Sequence, residues 1–389
     1  MKFRVLVIML AACLFAVTAC DENQYGPTGN TPDLEQGDGQ TSTEEDKTDG
    51  EYGANDEEET GNGENSAAYA KGADISWVTQ MEKDGVKFYD ADGQETDCFK
   101  LMKELGFNAI RLRVWVNPED GWCGKEDVIA KASRAYNLGM KIMIDFHYSD
   151  TWADPANQTP PVQWKDFTAD EMNAAVSAHT KDVLEGLKKV GVEVDWVQIG
   201  NEVNSGMLHP LGKVQGKDAA VFASFVNSGY KAVKDIYPDA KVILHVSNGH
   251  DAGLFDWFFS LMKTCNASYD IIGMSLYPVW WENGGWSSWN EPVSSCISNI
   301  RSLIARFGKP VMICETGLPV SEPQMAKEAL QKLISETAAI EGCLGTFYWE
   351  PQTDGVWKPE SYNALGWNAY DKGAFKNGQA TTALAPFNE

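Results

Sequence analysis

The segment GMKIMIDFHYSDTWADP, Gly139 to Pro155, decides the fold of this chain. A glycine turn leads into Lys141 to His147, whose apolar body suits a strand buried on both faces. Asp145 and His147 then stand at its C-terminal end, ahead of a polar loop. Working outward, the same layout recurs near Gly72 to Trp77, Ala109 to Trp115, Val194 to Glu202, Lys241 to Ser247, Asp270 to Tyr277, Pro310 to Thr316 and Gly345 to Glu350, which makes eight strands in all. Stretches of helical period separate them. After the third strand, Thr168 and Glu171 form a capping box, and Met172, Val176, His179, Val183 and Leu187 share one face, so His179 belongs to packing and not to a site. Eight strand-helix units in one domain, with no dinucleotide fingerprint, predict an α/β fold of the (β/α)8 TIM-barrel class. Functional groups are then expected where the βα loops gather, at the C-terminal ends of the strands.

Three segments follow from composition: 1–20, 21–66 and 67–389. Lys2 and Arg4 precede an apolar run, Val5 to Val17, that is too short to span a membrane and reads as an export signal. The string Val17-Thr18-Ala19-Cys20 resembles the lipobox of bacterial lipoproteins, which makes Cys20 the expected lipid anchor. Residues 21–66 hold fifteen acids against the single base Lys47 and almost no large aliphatic side chains, so they form a disordered, self-repelling tether. That tether carries more than half of the net charge of −24. Asp21 and Glu22 resemble the signal that sends lipoproteins of Bacteroidetes to the outer surface, so a cell-surface outer-membrane lipoprotein is expected. Residues 67–389 are long enough for one catalytic domain, expected to be monomeric. Without a basic stripe, nucleic acid is not an expected partner. Six cysteines remain there, Cys98, Cys123, Cys265, Cys296, Cys314 and Cys343; an oxidising compartment permits pairing, their spacing is not that of a metal site, and none reads as catalytic.

Nearly every strand ends in polar or aromatic side chains: Arg111, Arg113 and Trp115; Asp145 and His147; Asn201 and Glu202; Ser275 and Tyr277; Glu315; Tyr348, Trp349 and Glu350. Such groups cost stability unless they are paired or needed, so this is the signature of a site. Two carboxyl groups over a barrel mouth suit cleavage of a glycosidic bond, one protonated and one charged; a separation of roughly 5 Å would allow direct attack on the sugar carbon and net retention. Residue types alone leave the choice open, because Glu350 and Asp145 compete with Glu202 and Glu315.

More specific are GADISWV (Gly72 to Val78), FNAIRLRVWVNP (Phe107 to Pro118), GMKIMIDFHYSDTWADP, VQIGNEVNSGMLHP (Val197 to Pro210), SLYPVWW (Ser275 to Trp281) and ETGLP (Glu315 to Pro319). Together they are similar to the family 53 endo-β-1,4-galactanases, from about Gly72 to the last strand. The resemblance implies retaining hydrolysis of β-1,4-galactan in the arabinogalactan side chains of pectin, with Glu202 as acid/base and Glu315 as nucleophile. It also implies that Asn201 binds the sugar 2-hydroxyl, that Arg113 and Tyr277 orient Glu315 and keep it ionised, and that Trp349 floors the sugar. For Arg113, a buried salt bridge to Asp145 is the alternative. His147, Asp150, Trp152 and Asp154 are expected either to hold sugar hydroxyls or to form a structural loop network. Trp280, Trp281 and Trp357 are expected in the cleft, with His245, Asn248 and His250 as extra contacts. No cofactor is expected. Some bacterial members carry an acidic calcium-binding loop after the nucleophile, whereas TGLPVSEPQ (Thr316 to Gln324) stands here, and Asp354 and Asp371 supply too few oxygens for a site. The rival readings are another retaining barrel glycosidase, on mannan, arabinan or cellulose, and a non-catalytic surface glycan-binding lipoprotein.

Overall fold

Parallel strands must bury both faces, and the runs found in the sequence do so in a closed barrel. The structure, a computed structural model, describes residues 69–389 except 216–217, 281–285 and 368. Residues 1–20 with Cys20, the segment 21–66, Trp281 and the Trp280 side chain lie outside the described residues. The eight strands are β1 (Ala70–Asp74), β2 (Ala109–Val114), β3 (Lys141–Phe146), β4 (Trp196–Ile199), β5 (Lys241–Val246), β6 (Ile271–Leu276), β7 (Val311–Thr316) and β8 (Cys343–Trp349). Each pairs in parallel with its sequence neighbours, and β1 pairs with both β2 and β8, which closes the cylinder. The expected (β/α)8 TIM barrel is what the chain forms. Every expected strand is present, with ends displaced by a few residues; β4 is the shortest, since the backbone leaves the ladder at Gly200, which has φ 79°.

Helices cover the outside. The longest, Ala169–Lys189, starts at the capping box of Thr168 and Glu171, and its buried face carries Met172, Val176, Val183 and Leu187 as expected. His179 packs its ring against Phe146, Tyr148 and Trp164, away from the barrel mouth. A small sheet pairs Gln379–Ala380 with Phe88–Tyr89, and the Phe107 and Phe387 rings stack at 4.2 Å, so the C-terminal segment is fastened to the domain. The six cysteines are free thiols, five of them buried. No helix among the described residues is long and apolar enough to cross a membrane.

Inside the barrel, Ala109, Met143, Trp196, Ile243, Ile271, Met312, Cys314 and Phe347 form a separate apolar layer. Above it on β2, β3 and β4, two residues on along each strand, lie Arg111, Asp145 and Gln198. Glycine makes room for this filling. A Cβ at Gly72 would sit 2.1 Å from the Phe347 ring, so β1 can pass Phe347 only without a side chain. Gly72→Ala is therefore expected to destabilise the domain by about 1–3 kcal/mol, the usual range for overpacking. Thermal unfolding checks this, and adding Phe347→Leu should restore part of the loss, whereas a loss that is unchanged in the double variant would place the strain elsewhere.

Candidate active site

Strand β7 shows how one functional side chain is aimed. Strict alternation along Val311–Thr316 would turn Met312, Cys314 and Thr316 inward and Glu315 outward. The register forbids that. On β6, consecutive Met274 and Ser275 face Ile313 and Glu315, and on β8 the two-residue step from Thr346 to Tyr348 faces the three-residue step from Ile313 to Thr316. Both neighbours thus see one extra residue in β7, a bulge at Cys314 that leaves Cys314 in the inner layer and turns Glu315 inward as well. Glu202 is presented differently. Gly200 and Glu202 both take left-handed backbone, with φ 79° and 45°, which ends β4 and leaves Asn201 and Glu202 at the mouth. Tyr148, Asn248 and Glu350 have positive φ at equivalent strand ends, which marks the rim as the strained part of the barrel.

Glu202 and Glu315 line one cleft of about 670 Å3, together with Asn201, Tyr277, Trp152 and Trp349. Asp145 and Glu350, the rival carboxylates, are fully buried and lie outside that lining. Arg111 is the hub beneath it. Its Nη1 donates to Asp74 at 2.7 Å, and its Nη2 reaches Asp145, Glu315 and Asn201, each at 2.9 Å. This corrects the expectation for Arg113, which contacts neither Glu315 nor Asp145. Arg113 pairs with Glu350 at 3.3 Å and lies over three indole rings, nearest Trp152 at 4.4 Å from the guanidinium carbon. Both arginines face inward, but only Arg111, one pleat deeper, meets the strands across the barrel.

The electrostatics divide the carboxylates. Burial opposes ionisation of Asp145, yet Arg111 and then His147 hold it below the usual carboxylate range. Glu315 is pushed up to about 7: burial raises it, Arg111 pulls it down, and the charges of Asp145 and Asp74 push it up again. The Tyr277 hydroxyl donates to its Oε2 at 3.0 Å, as expected, and favours the charged form. Glu202 goes further, to about 8, through burial and then the charge of Glu315. Arg111 lies against Glu315, so of the two it is Glu202 that holds its proton more tightly.

The other expected contacts separate into cleft and scaffold. His147 lines the cleft, but its Nδ1 accepts from Trp115 Nε1 at 3.2 Å and the Ala153 amide at 3.0 Å, which leaves Nε2–H to donate to Asp145 at 3.1 Å. Neither ring nitrogen is left for a sugar. Asp150 sits outside the cleft lining and accepts from the Val162 amide at 2.9 Å, so it pins the loop after β3. Asp154 borders the cleft while accepting from Ala156 and Asn157. Trp357 is displaced from expectation: its indole donates to Asp84 at 2.9 Å, and it lines a different depression, with Met81 and Gln352. His250 lies against Trp286 and outside the cleft lining, whereas Asn248 and Ser247 border it. Trp349 and Trp152 both face the cleft, and each packs edge-on against Trp77. Trp367, Tyr362, Tyr370 and Lys372 complete the wall, all from the segment after β8 that sequence reading did not develop. Aromatic density there was the available signal.

Comparison with known proteins agrees with this layout. The model of glycosyl hydrolase family 53 matches residues 70–387. A probable arabinogalactan endo-β-1,4-galactanase A of Neosartorya fischeri is 32% identical over 83% of this chain and 93% of its own length. The endo-β-1,4-galactanase of Bacillus subtilis is 30% identical over 78% of this chain and 75% of its own. Among solved structures, a fungal β-1,4-galactanase superposes with a TM-score of 0.72 at 30% identity, covering 83% of this chain and 99% of that one. With its barrel, its strand-end carboxyls and this match along the whole described domain, the chain belongs to glycosyl hydrolase family 53.

Proposed function

We propose that this protein is an endo-β-1,4-galactanase that cleaves galactan and type I arabinogalactan side chains of pectin with retention of configuration. The observation that carries this reading is the asymmetry of the two cleft carboxyls: Arg111 and Tyr277 bind Glu315, while burial and the Glu315 charge leave the proton on Glu202. The names of the relatives support the substrate, and the catalytic machinery supports the chemistry.

In this mechanism Glu202 protonates the leaving oxygen as Glu315 attacks the anomeric carbon. The glycosyl-enzyme ester then reacts with water, which Glu202, now a carboxylate, deprotonates. Asn201 donates one amide hydrogen to the Ala153 carbonyl at 2.8 Å, and its second is free for the sugar 2-hydroxyl, a bond that strengthens in the transition state. Trp349 offers a ring face to the apolar C–H side of galactose.

Product analysis on linear β-1,4-galactan tests the proposal. Proton NMR of the first turnover should show the β-anomer, and Glu315→Ala should lose about a thousandfold or more in kcat. First appearance of the α-anomer, or a Glu315→Ala variant as fast as the parent, would overturn it. Activity on mannan without activity on galactan would reassign the substrate.

The pH dependence follows from the same pair. Activity should rise as Glu315 ionises and fall as Glu202 loses its proton, with both limbs above the usual carboxylate range. Tyr277→Phe removes a donor that favours the charged form of Glu315, so the acid limb of kcat/KM should move to higher pH, by roughly one unit for a hydrogen bond to a charged group.

We also infer that Cys20 becomes the diacylated N-terminus and that the acidic segment 21–66 displays the enzyme at the outer surface. Palmitate labelling that disappears in Cys20→Ser, with intact cells digesting added galactan, is the expected result. Label retained in that variant would remove the anchor.

A further inference from the structure

His245, on β5, is fully buried beside Asn201 and has no part in the mechanism above. Side chains from three strands converge on Asn201 Oδ1: Arg111 Nη2 from β2 at 2.9 Å, Gln198 Nε2 from β4 at 3.0 Å and His245 Nδ1 from β5 at 3.0 Å. Arg111 has only donors, so the atom they meet is the amide oxygen. The other end of the amide agrees, because Nδ2 donates to the Ala153 carbonyl at 2.8 Å. A flipped amide would set donor against donor on one side and oxygen against oxygen on the other.

With that oxygen fixed, His245 must carry a hydrogen on Nδ1, since a bare nitrogen would aim its lone pair at Oδ1. The Glu202 amide approaches the same nitrogen, but at 3.4 Å it is the longer contact and yields to the one at 3.0 Å. Burial keeps the ring neutral, so Nε2 accepts from the Ser275 hydroxyl at 2.8 Å, and that bond holds the ring in place. The three donors are not equivalent. Arg111 Nη2 divides its two hydrogens among Asp145, Glu315, Gln198 and Asn201. Gln198 Nε2 divides its two among Asp145, the Gly200 carbonyl and Asn201. His245 Nδ1 has one hydrogen and, among the described residues, one acceptor within reach, so it gives the Asn201 oxygen its undivided bond.

Resting on Asn201 as the contact to the sugar 2-hydroxyl, we propose that His245 is the residue that locks and polarises the Asn201 amide for that contact. A hydrogen bond accepted by an amide oxygen draws electron density from its nitrogen, so the remaining N–H becomes a stronger donor. One Nδ2 hydrogen is taken by Ala153, which leaves the other directed to substrate in a single orientation. The ring reaches no substrate atom in this scheme. His245 is a positioning residue that acts through Asn201, and Ser275 holds it in register.

The test compares kcat/KM on a dinitrophenyl β-1,4-galactobioside with kcat/KM on its analogue lacking the 2-hydroxyl of the ring that is cleaved. The ratio of the two, the 2-hydroxyl preference, is the readout. His245→Phe should lower it roughly threefold to tenfold, the scale of one hydrogen bond. His245→Asn, which keeps an N–H donor near the place of Nδ1, should restore most of it. In an Asn201→Ala background, His245→Phe should change the preference no further. Equal losses on both substrates in His245→Phe, or a further loss of preference on top of Asn201→Ala, would overturn the proposal. In the parent, 15N NMR should show His245 protonated at Nδ1, and a bare Nδ1 would overturn it without any variant. Failure of the underlying reading looks different: Asn201→Ala would then keep the parent's preference, which removes the sugar contact itself and the proposal with it.

Discussion

One guanidinium held against three carboxylates organises this active site. Arg111 lies within 2.9 Å of Asp74, Asp145 and Glu315, and all four groups are buried. Unit charges about 4 Å apart at an effective dielectric of about 20 interact by about 4 kcal/mol, which is about three pKa units. A single cation can offset burial for some of its partners and not for all. Asp145, with His147 as a further donor, stays ionised, and the deficit falls on Glu315 at the edge of the cleft. Its ionisation therefore depends on every other member of the cluster, and it passes that dependence on to Glu202 through its own charge.

The barrel supplies this cluster from several strands, so no short stretch of sequence contains it. Asp74, Arg111, Asp145, Gln198 and Glu315 come from β1, β2, β3, β4 and β7. What was legible along the chain was the repeat itself, an apolar strand with polar residues at its C-terminal end. That sufficed for the strand count, the location of the mouth and the four carboxyls worth weighing. Depth was not legible. Arg111 and Arg113 sit two residues apart on the same face, and which of them reaches across the barrel depends on strand tilt and on what fills the layer below. The bulge in β7 was equally hidden, because it appears only in the pairing of two neighbouring strands.

The loop residues that turn polar groups to the protein share a physical reason. His147, Asp150 and Trp357 all carry hydrogen-bonding groups on βα loops, as sugar contacts would, but both His147 nitrogens, the Trp357 indole and one Asp150 oxygen are spent on protein partners. A loop long enough to wall a cleft needs its own polar groups satisfied, and it draws on the same side-chain chemistry that binds a sugar. Type and position therefore identify the loop, and only geometry separates a contact from a strut. The aromatic wall shows the converse. Trp77 is almost fully buried, with Trp152 and Trp349 packed against it, so the indoles that face the cleft are fixed by one that does not.

Holding carboxyl groups in this environment sets a term in the stability of the domain as well as in its chemistry. Glu202, Glu315 and Glu350 are all raised above their ordinary values in the folded state, with burial as the first cause. For a group raised in this way, the stability it contributes is fully present below its unfolded pKa, about 4.3, and is lost as pH rises through the folded value. The fold is thus under its greatest electrostatic load toward neutral and alkaline pH, where Glu202 begins to ionise beside Glu315. The apolar layer beneath the cluster and the helices around the barrel carry that load. The strained, left-handed residues at the rim add to it at the very positions that present Asn201 and Glu202 to substrate.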